Sequence, residues 1–343
     1  MPTRVNMSEI KIHQDFEDIP EKEWDALLEK NCSNVPFLRY GYLSSWWQFK
    51  GGGEWADAAL QIISVRKDGQ LIGIAPFFSA IHEGRKKLLL LGSIEISDYL
   101  DFIHDPKYSA EFFELLFNFL AGEPFGDIHD LLLYNVPEQA LTRAHIEKEC
   151  QKHNWAVKAG QAYHTPIIHL AEDWDSYLAS IDKKQRHEIR RKLRRANEDP
   201  QEIRWYIVEE PGKLDDEMNA FFDLMVLDDE KKEFLTDTMR EQMRSIIRWA
   251  FNEKILQMSF LTIAGNKAAA YLCFDFKDRV WVYNSGFDPQ YREFSPGWVM
   301  LGFLIQHAIA IGKKSFDFMR GDEDYKYRFG AADNHVLKIE ISK

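Results

Sequence analysis

Ile255–Phe287, ILQMSFLTIAGNKAAAYLCFDFKDRVWVYNSGF, decides the fold. It reads as three apolar strands, Ile255–Ile263, Ala268–Phe276 and Val280–Phe287, joined by the short turns Ala264-Gly265-Asn266 and Lys277-Asp278. Turns this short admit only antiparallel neighbours, so the segment is a meander. Downstream, Pro296–Ile311 is an apolar helix, Ser315–Met319 a short strand and His335–Ile341 a closing strand. Upstream stand a strand at Ile203–Val208 and helices at Lys213–Asp228 and Asp237–Asn252. A long helix, Ala171–Asn197, carries acids in its first turns and bases in its last, as the helix dipole prefers.

The first half has the same grammar. Leu60–Arg66 and Gln70–Ala80 flank the turn Lys67-Asp68-Gly69, and Lys87–Leu91 and Asp98–Ile103 read as further strands. Helices are expected at Glu21–Lys30, Tyr108–Ala121 and Pro137–His153, with a strand at Ile128–Tyr134 and an aromatic, partly helical stretch at Pro36–Lys50. Laying Asp68-Gly69 on Ala264-Gly265 puts Ile74 on Ala270 and Phe78 on Phe274, a hairpin on a hairpin. The expected architecture is α+β: two similar halves, residues 1–170 and 171–343, each a mixed, mostly antiparallel sheet flanked by helices, with a cleft between them.

Composition narrows the function. With 343 residues the chain suits about two domains. Lys and Arg total 43 against 55 Asp and Glu, a net charge of −12, which argues against a general nucleic-acid coat. Cys32, Cys150 and Cys273 show no metal spacing and no even pairing, and the 11 histidines include no H-E-x-x-H, so no metal is expected. Nothing near the N-terminus resembles a signal peptide, and the most apolar run, Gly297–Gly312, is too short to span a bilayer. A cytoplasmic protein is expected. Its oligomeric state is not legible.

Four places carry chemistry. Arg292, Ser295 and Gly297 lie just before the apolar helix, where free N–H groups and the positive dipole end suit a phosphate. Ser315–Gly330, SFDFMRGDEDYKYRFG, runs off a strand end with Asp317, Glu323, Tyr325 and Lys326, which can move protons or hold charge. Residues 183–195 hold eight Lys or Arg, among them Arg186 and Arg190, against one acid, a local anion patch in an acidic protein or a solvated face. In the first half, Asp98, Tyr99 and Asp101 open an aromatic segment. Gly51–Ala56 fits G-x-G-x-x-A without the strand and helix that a dinucleotide site requires.

Together these segments resemble the CelD/FemAB-type branch of the GNAT acyltransferases. The resemblance lies in Phe316–Lys326, in Tyr291–Gly297 with its Ser-Pro-Gly, in the basic helix, and in Gly73–Phe77, Leu91-Gly92 and Ser97–Tyr99 of the first half. It implies tandem GNAT-like halves and an N-acyltransferase with acetyl-CoA as acyl donor, no metal, and an amine acceptor on a small molecule or glycan, in cell-envelope or polysaccharide metabolism. The superfamily's phosphate loop, R/Q-x-x-G-x-G/A, matches at Arg292 and Gly297, with Ser295 in place of the first glycine. FemAB relatives use aminoacyl-tRNA instead, so an aminoacyl-tRNA-dependent transferase, with the basic helix holding tRNA, stays open beside a non-catalytic binding protein. For the acyltransferase, Asp317 or Glu323 is the expected base, Tyr325 the proton donor and Lys326 an electrostatic aid. Backbone N–H groups around Tyr283–Gly286, with Tyr283 and Ser285, polarise the donor, while Asp98, Tyr99, Arg186 and Arg190 meet the substrate or an anion.

Overall fold

The computed structural model describes residues 8–343, which divide into two compact units. One runs to Tyr163 and takes back the last nine residues, His335–Lys343; the other is His164–Asn334. The sequence placed the division at 170 and gave the closing strand to the second half. That strand instead joins the first unit's sheet, where it pairs along Asp130–Pro137.

The first unit is built on strands β1 (Ser8–His13), β2 (Ala59–Lys67), β3 (Gln70–His82), β4 (Arg85–Leu90), β5 (Ile103–His104), β6 (Asp130–Pro137), β7 (Ala156–His164) and, from the chain end, β14 (His335–Ser342). Their order is β1-β2-β3-β4-β6-β14-β7, with β5 on β3, and only β4 and β6 run parallel where the register is defined. Helices α1 (Glu21–Leu28), α2 (Tyr40–Gln48), α3 (Ser109–Ala121) and α4 (Thr142–His153) flank it. Asp68 and Gly69 hold positive φ at the β2–β3 turn, as expected of an Asp-Gly hairpin.

Two expectations here are corrected. Asp98–Phe102 is not a strand, because its backbone groups find other partners: Leu100 N–H donates to Asn135 O, and Phe102 O accepts from the Asn31 side chain. The helix expected at Pro137 begins at Thr142, since Pro137 is still opposite Val336 in the sheet.

The second unit carries the six-stranded sheet β8-β13-β12-β11-β10-β9, from β8 (Ile167–His169), β9 (Arg204–Ile207), β10 (Leu256–Ile263), β11 (Asn266–Phe276), β12 (Arg279–Phe287) and β13 (Ser315–Asp317). β12 and β13 are parallel and the other pairs antiparallel. The expected single basic helix is two: α5 (Trp174–Ser180) and α6 (Lys183–Glu198). Ile181 is extended and buried between them, and the Asp182 carboxylate accepts from the Lys184 and Gln185 N–H groups, so Asp182 starts a new helix. α7 (Leu214–Met225), α8 (Asp229–Phe234), α9 (Asp237–Asn252), α10 (Pro296–Ala310) and the short α11 (Asp324–Arg328) complete the unit.

The α6 face Ile189, Leu193 and Ala196 packs with Val299, Met300, Phe303 and Leu304 of α10 in one core. A Cβ on Gly302 would lie 3.0 Å from the Leu193 side chain, so that glycine sets how closely the two helices approach. On another part of the sheet, a Cβ on Gly286 of β12 would sit 2.7 Å from the backbone of Leu224 at the end of α7. Backbone cannot step aside as a side-chain tip can, so Gly286 is what lets α7 lie against β12.

Candidate functional site

The site grows from unequal strand lengths. β12 pairs with β11 along its whole run, from Arg279 to Phe287. On its other side β12 meets β13 only at Arg279–Trp281. Beyond Trp281 no strand among the described residues covers that edge. A bulge sharpens the departure: Cys273 faces Val282 and Leu272 faces Asn284, leaving Tyr283 as the extra residue.

Ser285 shows where the bare edge lies. In a strand, the N–H and C=O of one residue point the same way. Ser285 N–H donates to the Asn284 side-chain oxygen at 2.8 Å, and its carbonyl accepts from Lys231 Nζ. Side chains therefore stand where a strand or an extended ligand would pair, and the Ser285 N–H expected to polarise a donor is already engaged. Tyr283 turns its ring onto Phe274, 5.2 Å between centroids.

The chain leaves β12 through the turn Pro289–Phe294, started by the Asp288 carboxylate on Gln290 N–H, and enters α10 at Pro296. Ser295 has φ +53° and ψ +53°, a left-handed conformation that glycine adopts more easily. The residue that departs from the family's glycine thus occupies a glycine-type backbone. Nothing lies within 4 Å of a Cβ built on Gly297, so the approach to the helix start is open.

The basic helix comes to this same place. Arg195 donates to Glu293 O at 3.2 Å and lies 5.6 Å from the Phe294 ring, while Lys192 Nζ stands 4.6 Å from the Trp298 ring. Arg191, Lys192, Arg195, Glu293, Phe294 and Ser295 line a cavity of about 60 Å³. Two sites that were separate in sequence are one site in space. The residues differ from those first singled out, however. Arg186 reaches the Leu178 and Ala179 carbonyls, and Arg190 pairs with Asp175 at 3.2 Å. Helical spacing held the missing signal, since 191, 192 and 195 share a face with the buried Ala196 and 188.

Ser315–Gly330 is more structural than its sequence suggested. Asp317 is fully buried; it accepts from Arg279 Nη1 at 2.9 Å and from Met319 N–H at 2.8 Å. Both oxygens are thereby engaged, and Asp317 is withdrawn as a base. Lys326, only 2% exposed, donates to Arg320 O, Gly321 O and the Glu323 carboxylate, which uses its three N–H groups to hold the loop. Glu323 keeps more than half of its side chain in solvent. Burial first, and the Glu323 charge second, push the Tyr325 phenol well above its ordinary range. The Tyr325 ring meets Phe318 edge-on, 5.9 Å between centroids, and packs against the core that holds Val299 and Met300 of α10; the Tyr271 hydroxyl, in the same core, donates to Gly297 O at 3.3 Å. Nearby, Asp333 holds His164 above its usual value, and the Tyr327 hydroxyl donates to Asp322 and Asp333.

Asp98 and Tyr99 lie in the first unit. Tyr99 is 5% exposed and stacked on Phe37, and beside it Asp101 is held by Ser33 at 2.5 Å, by Thr142 and by the Phe102 N–H. Tyr99 is therefore core, while Asp98 is half-buried. No metal-binding cluster and no helix long and apolar enough to cross a membrane occur among the described residues.

Residues 183–327 match the acetyltransferase (GNAT) domain family. The match lies wholly within the second unit. No curated protein matches the chain in sequence. Among solved structures, FemX is 13% identical with a TM-score of 0.68, covering 96% of each chain. L-PGS from Bacillus licheniformis is 12% identical with a TM-score of 0.57, over 95% of this chain and 92% of that one. The C-terminal domain of a putative lysylphosphatidylglycerol synthetase from Agrobacterium fabrum is 11% identical with a TM-score of 0.56, over 94% and 91%. These likenesses extend over both units and accord with the tandem GNAT-like, FemAB-type architecture expected from the sequence.

Proposed function

We propose that this GNAT protein is an N-acyltransferase that moves an acyl group from an activated donor to an amine on a small molecule or glycan. One observation carries the reading: the uncovered edge of β12 leads within a few residues to the start of α10, where Arg191, Lys192 and Arg195 converge. A donor with phosphates at one end and an acyl carbonyl at the other fits that order of chemistry. Acetyl-CoA is the donor we assign. Its pyrophosphate would meet the Gly297 and Trp298 N–H groups and the α6 bases.

The amine attacks only when neutral, so its proton must leave. Glu323, solvent-accessible and at the loop next to this site, takes it directly or through water. Tyr325 remains a phenol at neutral pH, because burial and Glu323 both disfavour the phenolate, and it donates to the departing sulfur. Lys326 fixes the loop that carries Glu323. Catalysis then needs no metal. A cytoplasmic setting, where such donors are made, suits this reading.

A second donor has its own support. Lys183, Lys184 and Arg194 stand exposed on α6, FemX shares the fold, and Ser295 replaces the loop's first glycine. These features favour aminoacyl-tRNA. Titration calorimetry with acetyl-CoA and with bulk tRNA decides between the donors: micromolar binding of acetyl-CoA supports the first and binding of tRNA alone the second. Binding of neither refutes both.

A further inference from the structure

Lys231 was not singled out in the sequence, where it is one of two adjacent lysines in a charged run, Asp228–Glu233. The structure gives it an unusual place. Asp228 caps α8 by accepting from the Lys231 N–H, and the first turn of α8 follows α7, whose end is pressed onto Gly286. That seating aims the Lys231 side chain at the uncovered edge of β12, where Nζ donates to the Ser285 carbonyl. No second hydrogen-bond acceptor meets Nζ among the described residues, so two of its three N–H groups remain uncommitted. An ammonium has no reason to desolvate for one carbonyl alone.

We infer that Lys231 is a further catalytic residue, the cation that binds the oxygen of the acyl carbonyl as it becomes an oxyanion. The inference rests on the acyltransferase reading but not on the choice of donor, because a thioester and an aminoacyl ester develop the same charge. In the step, the amine nitrogen bonds to the carbonyl carbon and the carbonyl π pair moves onto oxygen, where the Lys231 ammonium stabilises it. The pair returns as the bond to sulfur or to the ribose oxygen breaks. The leaving group takes its proton from Tyr325 or water, and the amine proton goes to Glu323 or water. Lys231 neither gains nor loses a proton.

Pinned by Ser285, the ammonium is held ready before charge develops, which is the condition for this kind of stabilisation. Asp228 and Glu323 are the acids whose charges reach it, and both favour its protonated form against burial, which lowers its affinity for the proton. Each group thus bears on the same question of whether the cation persists at working pH.

The test is single-turnover transfer to a panel of amines from acetyl-CoA and from bulk aminoacyl-tRNA, with parent, Lys231→Met and Lys231→Arg. With the donor that the parent uses, Lys231→Met should lose about 10²–10³-fold in rate, the cost of removing one oxyanion donor, with donor Kd unchanged within about twofold. Lys231→Arg should recover part of the rate and keep it at alkaline pH, where the parent declines as the ammonium deprotonates. An alkaline decline that persists unchanged in Lys231→Arg would belong to another group and overturn the assignment. An unchanged rate with tighter donor binding would make Lys231 a plug on the edge, and equal losses in rate and melting temperature would make it structural; either overturns it. If the parent transfers from neither donor, the acyltransferase reading fails first and the inference with it.

Discussion

Asp317→Asn separates a structural acid from a catalytic one. In the folded unit the Asp317 carboxylate is fully buried on β13, with Arg279 Nη1 at 2.9 Å and Met319 N–H at 2.8 Å. Arg279 also donates to Ser315 Oγ at 2.9 Å, so the guanidinium ties β12 to β13 across the three residue pairs that join them. Asparagine keeps the shape and one acceptor, yet presents N–H groups toward a cation. Removing one partner of a buried pair costs about 3–5 kcal/mol. Arg279 is one-third exposed and can recover water, which favours the lower end. For a unit of this size each kcal/mol shifts Tm by about 2–4 °C, so roughly 3 kcal/mol predicts a fall of about 6–12 °C. The assay pairs a thermal melt with the rate per folded molecule at 20 °C. We expect the melt to fall and the rate to stay within a few-fold. A melt that does not move, with a rate down 10²-fold or more, would refute the structural role and restore Asp317 as the base.

Four other outcomes follow from the geometry. Gly297→Val should raise the acetyl-CoA Kd at least about tenfold, about 1.4 kcal/mol, because the open space at the helix start is where the ligand goes; calorimetry reads it, and parent-like binding would move the phosphate site elsewhere. Ser295→Gly should relieve a left-handed serine and bind CoA as well as the parent or better, so weaker binding would speak for the aminoacyl-tRNA donor. Tyr325→Phe should lower kcat about 10²-fold with little change in Tm, and an unchanged kcat would hand proton donation to water. Asp101, fully enclosed, has its carboxyl pushed up to about 6 by burial against the pull of Ser33, Thr142 and the Phe102 N–H; a raised folded-state value means stability that is complete at acid pH and is lost as pH rises through about 6, so Asp101→Asn should stabilise the first unit at pH 8 by about 1–3 kcal/mol and scarcely at pH 4, read by denaturant unfolding at the two pH values.

Much of the framework was legible because local rules govern it. The hairpins at Asp68-Gly69 and Ala264-Gly265 form where the turn residues demand, and Pro296 opens α10 as a helix-start proline should. The losses occur where long-range partners decide. β7, AVKAGQAYH, alternates without an apolar face and is a strand only through β14, from the far end of the chain. His335–Ile341 reads as a strand in any context, but nothing in it says which sheet it completes. Asp317 alternates with Phe316 and Phe318, which reads as a polar residue aimed at a ligand. Opposite it, Trp281 of β12 has Arg279 two residues earlier on the same face, and that cation turns the position into an ion pair. The site's charge was visible, but its address was not. Arg191, Lys192 and Arg195 lie about a hundred residues before Glu293 and Phe294, and the packing of α6 on α10 brings them together.

The location of the chemistry follows from one length difference. β13 stops after three paired residues, while β12 continues to Phe287 and passes directly into the turn before α10. An uncovered backbone edge and an uncovered helix start must then lie in sequence on one stretch of chain, Val282–Trp298, whatever ligand uses them. On the proposed reading anion binding falls at the α10 end, where Arg191, Lys192 and Arg195 line the cavity. On the same reading the carbonyl chemistry sits at the Ser285 end, where Lys231 brings a cation. The proposed acyltransferase would therefore set donor identity at Ser295 and the α6 face, and bond-making at Lys231, Glu323 and Tyr325. Substitutions at the first group should change which donor binds, and substitutions at the second should change how fast it reacts.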